Sequence, residues 1–284
     1  MKPLKLTSYL FAIIFFTAFR GNTQESLTEL QYLPDEIFPI KIDKFGCPDV
    51  KMEFKNKPVW IIWDTGDMTG LVLSKKIIDG NDLKVKDSIR LSDSEGNMVG
   101  YSYTYVADSI RFFNGIKDNV SISTATGDYN GLIGPKFIDL KRFTLDYQNK
   151  FIGISKHSFK KSMVEGEILS MVKSEMFPRL ILVEGQVNGK RVLMELDTGK
   201  SRTVIDPELA KELNMTEGKH GVVVDNIALG TLSFGVDNAK LKGFMGISNG
   251  LPEPIRIGIG SDVLSKFLFT VDYEQGIVIL KPIK

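Results

Sequence analysis

The sequence contains the same layout twice: a run of apolar residues that ends in Asp-Thr-Gly. The first copy is PVWIIWDTGDMTG at 58–70, and the second is NGKRVLMELDTGKSRTVID at 188–206. A lone Asp-Thr-Gly is most often only a turn after a strand, because Asp and Gly are common turn residues. The likeness continues downstream, where DSIRFFNGI from Asp108 matches DNIALGTLS from Asp225, and LIGPKFIDLKRFTLDY from Leu132 matches GIGSDVLSKFLFTVDY from Gly258. Features that recur in one order indicate a duplicated structural unit.

Most of the chain is predicted to be β-strand, because short runs of branched and aromatic residues alternate with turn residues. The expected strands are Val59–Trp63, Val99–Ala107, Ile110–Phe113, Val192–Leu196, Gly221–Val224 and Ile277–Leu280. Short helices are expected at Lys136–Leu140, Asp262–Phe267 and Pro207–Leu213, the last capped by Asp206. The pattern predicts two mainly β lobes and a connector at 156–178 that includes a strand or helix as well as linker.

Composition and charge exclude several classes of function. The 284 residues carry 36 basic and 35 acidic side chains, so no excess of positive charge points to nucleic acid or to an anionic membrane surface. Cys47 is the only cysteine, and therefore no intrachain disulfide is expected. His157 and His220 lie in polar segments without nucleophile or metal-ligand spacing, so we expect no metal, no cofactor and no Cys-His or Ser-His-Asp site.

The amino terminus has the layout of an export signal. Lys2 and Lys5 precede the apolar run Tyr9–Phe19, which is too short to span a bilayer as a helix and is followed by polar residues. We therefore predict a signal peptide at 1–24 and a periplasmic, cell-surface or extracellular protein. An uncleaved amino-terminal anchor is the alternative. The remaining chain divides into an amino-terminal lobe at 25–155, the connector at 156–178 and a carboxyl-terminal lobe at 179–284.

Two copies of apolar-apolar-Asp-Thr-Gly, each followed by a hydrophobic-Gly pair and a short helix, resemble the aspartic proteases. The pairs are Ile133 with Gly134 and Ile259 with Gly260. The second half, with LDTGKSRTVI and GIGSDVLSKF, is most similar to the retropepsin-like branch, and the resemblance covers roughly residues 36–284. It implies a bilobal acid-protease fold, mainly β, built from two pseudo-symmetric β-barrel lobes. The Ile-Gly pairs are then expected to pack behind the Asp-Thr-Gly loops.

The chemistry of peptide hydrolysis explains why two copies are needed. Without a covalent intermediate, a base must take a proton from water while an acid protonates the carbonyl oxygen or the leaving amine. Two adjacent carboxyl groups that share one proton perform both tasks, since like charges in contact resist joint ionisation. Asp64 and Asp197 are the candidate pair and are expected to titrate as a unit.

The other residues of the two motifs have expected supporting roles. Gly66 and Gly199 allow each loop to turn tightly and to bring backbone donors near the carboxyl groups. The resemblance implies that Thr65 and Thr198 hydrogen-bond across the lobe interface and hold the two loops together.

The first half contains about 16 more residues than the second between the Asp-Thr-Gly motif and the next matched aspartate. The extra residues lie around RLSDSEGNMVGYSYTY, which is typical of a hairpin with a turn at Ser94–Asn97. A hairpin at this position of the family is the flap over the substrate, so we expect a single flap. Gly96, Tyr101 and Tyr103 are its candidate substrate contacts, and a half-exposed strand face is the alternative interpretation of the tyrosines.

Two residues depart from the family pattern. A small Ala or Ser usually follows Asp-Thr-Gly, whereas here Asp67 and Lys200 stand there. A hydroxyl group near this point commonly supports each carboxylate, which Ser201 supplies in the second half and Thr69 in a first loop that is one residue longer. If Asp67 and Lys200 point outward, their effect is small. If they point inward, the pH optimum moves away from acid or activity is lost.

Three functions follow from these features. The leading hypothesis is an exported aspartic endopeptidase that cleaves extended peptide or protein substrates, with a complete site in one chain so that a monomer suffices. A second is a catalytically silent protein of the same fold that binds peptides or proteins. A third is a cell-surface β-sandwich binding protein whose two Asp-Thr-Gly sequences are turns.

Overall fold

The computed structural model describes residues 34–68, 70–81, 83–92, 98–125, 129–137, 140–157, 165–244, 248, 251 and 253–283. The signal peptide predicted at 1–24 lies outside these residues. None of the helices in the described ranges has the length and apolar character needed to cross a membrane.

The chain is mainly β-strand in both halves. The elements of the first half are β1 (Glu36–Ile42), β2 (Pro48–Phe54), β3 (Lys57–Trp63), β4 (Leu71–Ser74), α1 (Lys75–Asp79), β5 (Val85–Ser92), β6 (Met98–Phe112), β7 (Gly115–Ala125), β8 (Gly131–Ile133), β9 (Arg142–Asp146) and β10 (Phe151–Ser155). Those of the second half are β11 (Glu167–Ser170), β12 (Leu182–Val187), β13 (Lys190–Leu196), β14 (Val204–Ile205), α2 (Pro207–Glu212), β15 (Glu217–Gly218), β16 (Gly221–Leu229), β17 (Leu232–Leu241), β18 (Ile255–Ile259), α3 (Ser261–Leu264), β19 (Phe267–Asp272) and β20 (Ile277–Pro282).

Each half closes a six-stranded barrel of the same topology. The first runs β2-β3-β8-β4-β7-β6 and returns to β2, and the second runs β12-β13-β18-β14-β17-β16 and returns to β12. Both barrels begin with a tight hairpin whose two turn residues have positive φ, Lys55-Asn56 in one and Asn188-Gly189 in the other. The predicted mainly β, bilobal acid-protease architecture is thus confirmed, and the β-sandwich alternative is wrong because each half closes on itself.

A further antiparallel sheet joins the two halves. Its order is β11-β20-β19-β9-β10-β1, with three strands from each half. At its centre Thr144 of β9 lies opposite Thr270 of β19, and their buried hydroxyl groups are 2.8 Å apart. These two residues are matched in the repeat, so the pseudo-two-fold axis passes between them.

Several predicted strands and helices have different boundaries in the structure. The two strands expected at Val99–Ala107 and Ile110–Phe113 form one strand, β6, because it is long enough to pair with β5 at one end and with the barrel strand β2 at the other. The described part of the predicted helix Lys136–Leu140 is a turn at 135–137, and 138–139 lie outside the described residues. The helix expected at Asp262–Phe267 ends earlier, at Leu264, because Phe267 already belongs to β19.

Other local predictions are confirmed. Asp206 caps α2 by accepting hydrogen bonds from the amides of Glu208 and Leu209. The connector contains strand β11, which pairs with β20. The flap region is a hairpin in which Ser92 of β5 lies opposite Met98 of β6, while its turn residues, Gly96 included, lie outside the described residues.

We expect the substitution Thr144→Val to lower the free energy of unfolding by about 1–3 kcal/mol, because it leaves the Thr270 hydroxyl group buried without its partner. The double variant Thr144→Val/Thr270→Val should recover most of this loss, since it removes both polar groups and keeps the side-chain shape. Urea unfolding at constant m-value measures both effects. Equal stability of the single variant and the wild type would contradict the prediction.

Candidate active site

The two Asp-Thr-Gly sequences form loops at the ends of β3 and β13, and the strand next to each one holds its first residue. The amide of Asp64 donates to the carbonyl of Ile133 over 3.1 Å, and the amide of Asp197 donates to that of Ile259 over 2.9 Å. Both acceptor strands are parallel to the strands that carry the aspartates. Each Ile-Gly pair therefore lies directly behind an Asp-Thr-Gly loop.

The threonines join the two loops by reciprocal hydrogen bonds. The amide of Thr65 donates to Thr198 Oγ1 over 3.2 Å, and the amide of Thr198 donates to Thr65 Oγ1 over 3.0 Å. Each hydroxyl group also donates to a carbonyl of the other half, Thr65 to Leu196 over 2.9 Å and Thr198 to Trp63. Both threonines are fully buried, so each loop satisfies the polar groups of the other.

The threonine bonds bring the two carboxyl groups into contact. Asp64 and Asp197 are hydrogen-bonded to one another through their side chains. A Cβ atom added to Gly66 would lie 2.3 Å from Asp197 Oδ2, and one added to Gly199 would lie 2.2 Å from Asp64 Cγ. Each glycine therefore leaves the space that the carboxyl group of the other half occupies.

The pKa of Asp64 lies well above its ordinary value. Burial is the largest cause, followed by the charge of Asp197, the hydrogen bond to Asp197 and the charge of Asp67. The amide of Gly66, which donates to Asp64 Oδ1 over 2.9 Å, opposes the shift. A carboxyl group in this environment keeps its proton to a higher pH than a free aspartate.

The glycines of the Ile-Gly pairs lie against the loops. A Cβ atom on Gly134 would be 2.2 Å from the carbonyl oxygen of Asp67, and one on Gly260 would be 2.7 Å from that of Lys200. The amide of Ser261 donates to the same Lys200 carbonyl over 2.7 Å. Any larger residue at either glycine would push the loop away from its supporting strand.

The Lys200 side chain points inward, toward the pair of carboxyl groups of Asp64 and Asp197, which we call the dyad. Its ammonium group bonds to Asp197 Oδ2 and, over 2.6 Å, to Oε2 of Glu195, whose side chain is fully buried. Burial lowers the pKa of Lys200, but the two carboxylates raise it by more, so the group stays charged. The pKa of Glu195 is raised to about 7, first by burial and then by Asp197, against the effect of Lys200 and Lys242.

Asp67 stands at the matching place in the first loop and supports the loop backbone. Its Oδ2 accepts a hydrogen bond from the amide of Gly70 over 3.0 Å. Its charge is one of the causes that raise the pKa of Asp64. The two residues that depart from the family pattern therefore act in opposite directions, Asp67 against a second negative charge and Lys200 in favour of one.

The remaining predicted site residues lie farther from the carboxyl groups or outside the described residues. Apart from Asp64, the donors that reach the Asp197 carboxylate within the described ranges are the Gly199 amide and the Lys200 ammonium group, and the Ser201 hydroxyl is not among them. Thr69 lies outside the described residues, although the ladder registers confirm that its loop is one residue longer. Tyr101 and Tyr103 lie on β6, 52 % and 41 % exposed, with ring centroids 6.4 Å apart.

Three residues near the dyad were missed by sequence reasoning or set aside. Glu195 interrupts the otherwise apolar run VLMEL before the second Asp-Thr-Gly, and this interruption is the signal that the sequence offers. Tyr129 lies close enough to Asp64 and Asp67 to interact with their charges. Burial first, and then these two charges, raise the pKa of its hydroxyl group. The Cys47 thiol donates to the carbonyl of Gly199 over 3.5 Å, and burial, Asp43 and the dyad raise its pKa to about 12, so it stays protonated.

The comparisons with known proteins agree with this geometry over part of the chain. A family model described as Aspartyl protease matches residues 183–235, which include β13, the second Asp-Thr-Gly loop and β16. The search of curated proteins found no match. The match supports a hydrolase of the aspartic protease kind at the level of the family.

We expect Gly199→Ala to destabilise the fold by about 1–3 kcal/mol and to part the two carboxyl groups, because the new methyl group overlaps Asp64 Cγ. Gly243→Ala is the matched control, since a Cβ atom there meets nothing within 4 Å. Thermal or urea unfolding of both variants makes the comparison. Equal stability of the two variants would show that the loops do not approach as closely as described.

Proposed function

We propose that the protein is an exported aspartic endopeptidase, which hydrolyses peptide bonds with a water molecule activated between Asp64 and Asp197. The observation that carries this proposal is the contact of two carboxyl groups, one from each barrel, of which Asp64 has a strongly raised pKa. Such a pair holds one proton and one negative charge over a range of pH, which provides the acid and the base together.

The reaction needs only groups that this chain supplies. The ionised carboxylate takes a proton from water as the water oxygen attacks the carbonyl carbon, and the protonated carboxyl group gives its proton to the carbonyl oxygen. When the tetrahedral intermediate collapses, the amine nitrogen takes the proton that came from water, and a hydroxyl proton of the intermediate returns to the other aspartate. The C–N bond breaks, and the dyad regains its starting state.

The expected substrate is an extended peptide segment. In the first half, β5 has eight residues and forms a hairpin with β6, while β15 at the corresponding edge of the second half has only two residues. A single flap of this kind binds an extended substrate whose backbone pairs with the flap as a further β-strand. Tyr101 and Tyr103 alternate along β6 and are candidates for contacts with substrate side chains.

A catalytically silent peptide-binding protein is the second candidate, and the Lys200 contact is the observation that favours it. An ammonium group bonded to Asp197 Oδ2 competes with water for that oxygen. If the ammonium group holds the oxygen throughout, the cleft would still bind an extended peptide but would not cleave it.

We expect the purified protein to cleave denatured protein or a peptide library across a pH series, with inhibition by a statine-type compound. Asp64→Asn and Asp197→Asn should each reduce kcat/KM at least about a thousandfold, because either change removes the shared proton or the base. Asp225→Asn is the control, since this aspartate is exposed on β16. Folded wild-type protein that binds peptides but cleaves none from pH 3 to 8 would favour the silent alternative.

Export rests on the amino-terminal sequence. If residues 1–24 are a cleaved signal peptide, the protein recovered from cells begins close to Glu25 and is found outside the cytoplasm. Amino-terminal sequencing of the recovered protein measures this. Recovery with Met1 in place in a membrane fraction would instead identify the retained anchor.

A further inference from the structure

The two barrels can be compared position by position, because the repeat and the strand registers align them. Two residues before each aspartate stand Ile62 and Glu195, and these lie opposite Leu132 and Gly258 of the neighbouring parallel strands. Three residues after each aspartate stand Asp67 and Lys200. The second barrel therefore differs from the first at three positions that are neighbours in space.

In the second barrel the residues at these three positions, Glu195, Lys200 and Gly258, pack against one another. A Cβ atom on Gly258 would lie 3.1 Å from Lys200 Cε, 3.2 Å from the Phe244 ring and 3.3 Å from Glu195 Oε2. The missing side chain at Gly258 thus leaves room for the Lys200 stem between the strand and the ring. The Lys200 ammonium group donates hydrogen bonds to both Glu195 Oε2 and Asp197 Oδ2.

The buried Glu195 carboxylate is not explained by a contribution to the stability of the fold. The Glu195 side chain is fully buried, and within the described residues its Oε1 atom has no hydrogen-bond partner. Burial of a carboxylate is unfavourable even when it is paired, and an apolar residue of similar size is often as stable or more stable. The apolar Ile62 at the matching place of the first barrel shows that this position of the fold does not require a charge.

We infer that Lys200, held by Glu195, is a positioning residue that makes the dyad asymmetric, with Asp197 as the ionised base and Asp64 as the protonated acid. This inference rests on the proposed function. Of the two aspartates, Asp197 is the one that the Lys200 ammonium group contacts among the described residues. This contact stabilises negative charge on the Asp197 carboxylate. Asp64 faces Asp67 and Asp197 instead, and both of these negative charges favour its protonated form.

Other titratable groups also face the site and act equally on wild type and variants. They come from the turn before β2, the loop after β3, the loop before β8, the end of β9 and the end of β17: Cys47, Asp67, Tyr129, Tyr147 and Lys242. Burial raises the pKa of both tyrosines and of Cys47, so these three remain neutral in the acidic and neutral range. The carboxyl groups at the site are those of the dyad, Glu195 and Asp67, and Asp67 is unchanged in every variant compared below.

The direction of each pH effect follows from these charges. An ammonium group beside the dyad favours its ionised forms, so its removal should move both limbs of the pH-rate profile upward by about one pH unit. Glu195 has a pKa of about 7 and is protonated on the acidic limb. Replacement of Glu195 by Gln should therefore leave the acidic limb in place and move the basic limb downward, because a negative charge that opposes the second ionisation is lost.

The experiment compares pH profiles of kcat/KM for the wild type, Lys200→Met, Lys200→Arg and Glu195→Gln. We expect an upward shift with lower maximal activity for Lys200→Met, its substantial reversal in Lys200→Arg, and the downward shift of the basic limb alone for Glu195→Gln. Lys240→Met is the matched control, since Lys240 is an exposed cation of the same barrel, and its profile should match that of the wild type.

A merely structural role would lower activity at every pH without moving the limbs, and that result would overturn the inference while leaving the protease function intact. Greater activity of Lys200→Met than wild type at its own optimum would also overturn it, because the ammonium group would then be blocking the site.

A second measurement keeps the inference testable if the wild type cleaves nothing. Carboxyl ¹³C NMR of protein labelled at aspartate reports the protonation state of each carboxyl group, with Asp64→Asn and Asp197→Asn for assignment. We expect the protonated signal at neutral pH to be the one that disappears in Asp64→Asn, and its titration to move upward in Lys200→Met. A proton on Asp197, or no change in Lys200→Met, would overturn the inference. Absence of cleavage by the wild type would by itself refute only the proposed function.

Discussion

The reciprocal hydrogen bonds between Thr65 and Thr198 are the constraint on which the rest of the site depends. Both side chains and both amides are buried at the lobe interface, where no water replaces a lost partner. An unpaired buried donor or acceptor costs about 1–3 kcal/mol, so neither loop is stable in this form without the other. Contact between the two carboxyl groups is a consequence, because each aspartate precedes a threonine whose position is fixed.

The same two-fold relation organises the sheet beneath the site, but the chain breaks it in places. Tyr147 and Tyr273 are matched residues; Tyr147 is buried, and Tyr273 is partly buried with its hydroxyl group enclosed. The hydroxyl group of Tyr147 lies 3.0 Å from Ser261 Oγ, which donates to the carbonyl of Thr198. Proline stands at the position that matches Ser261, and the Tyr273 hydroxyl has no hydrogen-bond partner among the described residues. The second Asp-Thr-Gly loop is therefore braced by a chain of hydroxyl groups that has no equivalent at the first.

Much of the architecture could be predicted from the sequence, because a duplicated pattern specifies its own pairing partner. Asp64 alone was compatible with a turn, and only the second copy at Asp197 indicated a shared site. Features that depend on one strand continuing past a predicted turn, such as β6, were missed because alternation of residue types does not show which neighbour a strand pairs with. The inward position of Lys200 was also beyond sequence reasoning, since it depends on Glu195 and Gly258, which lie on different strands.

The differences between the halves identify positions whose residues are not determined by the barrel fold alone. Both barrels close with the same topology, and so the packing of a barrel does not explain why one carries Ile62 and Leu132 where the other carries Glu195 and Gly258. A buried carboxylate and a missing side chain both lower stability unless another group compensates for them. Lys200 offsets part of both effects, since its stem fills the space above Gly258 and its ammonium group pairs with Glu195. The same ammonium group bonds to Asp197, and this contact connects a departure from the internal symmetry of the fold to the charge of the dyad.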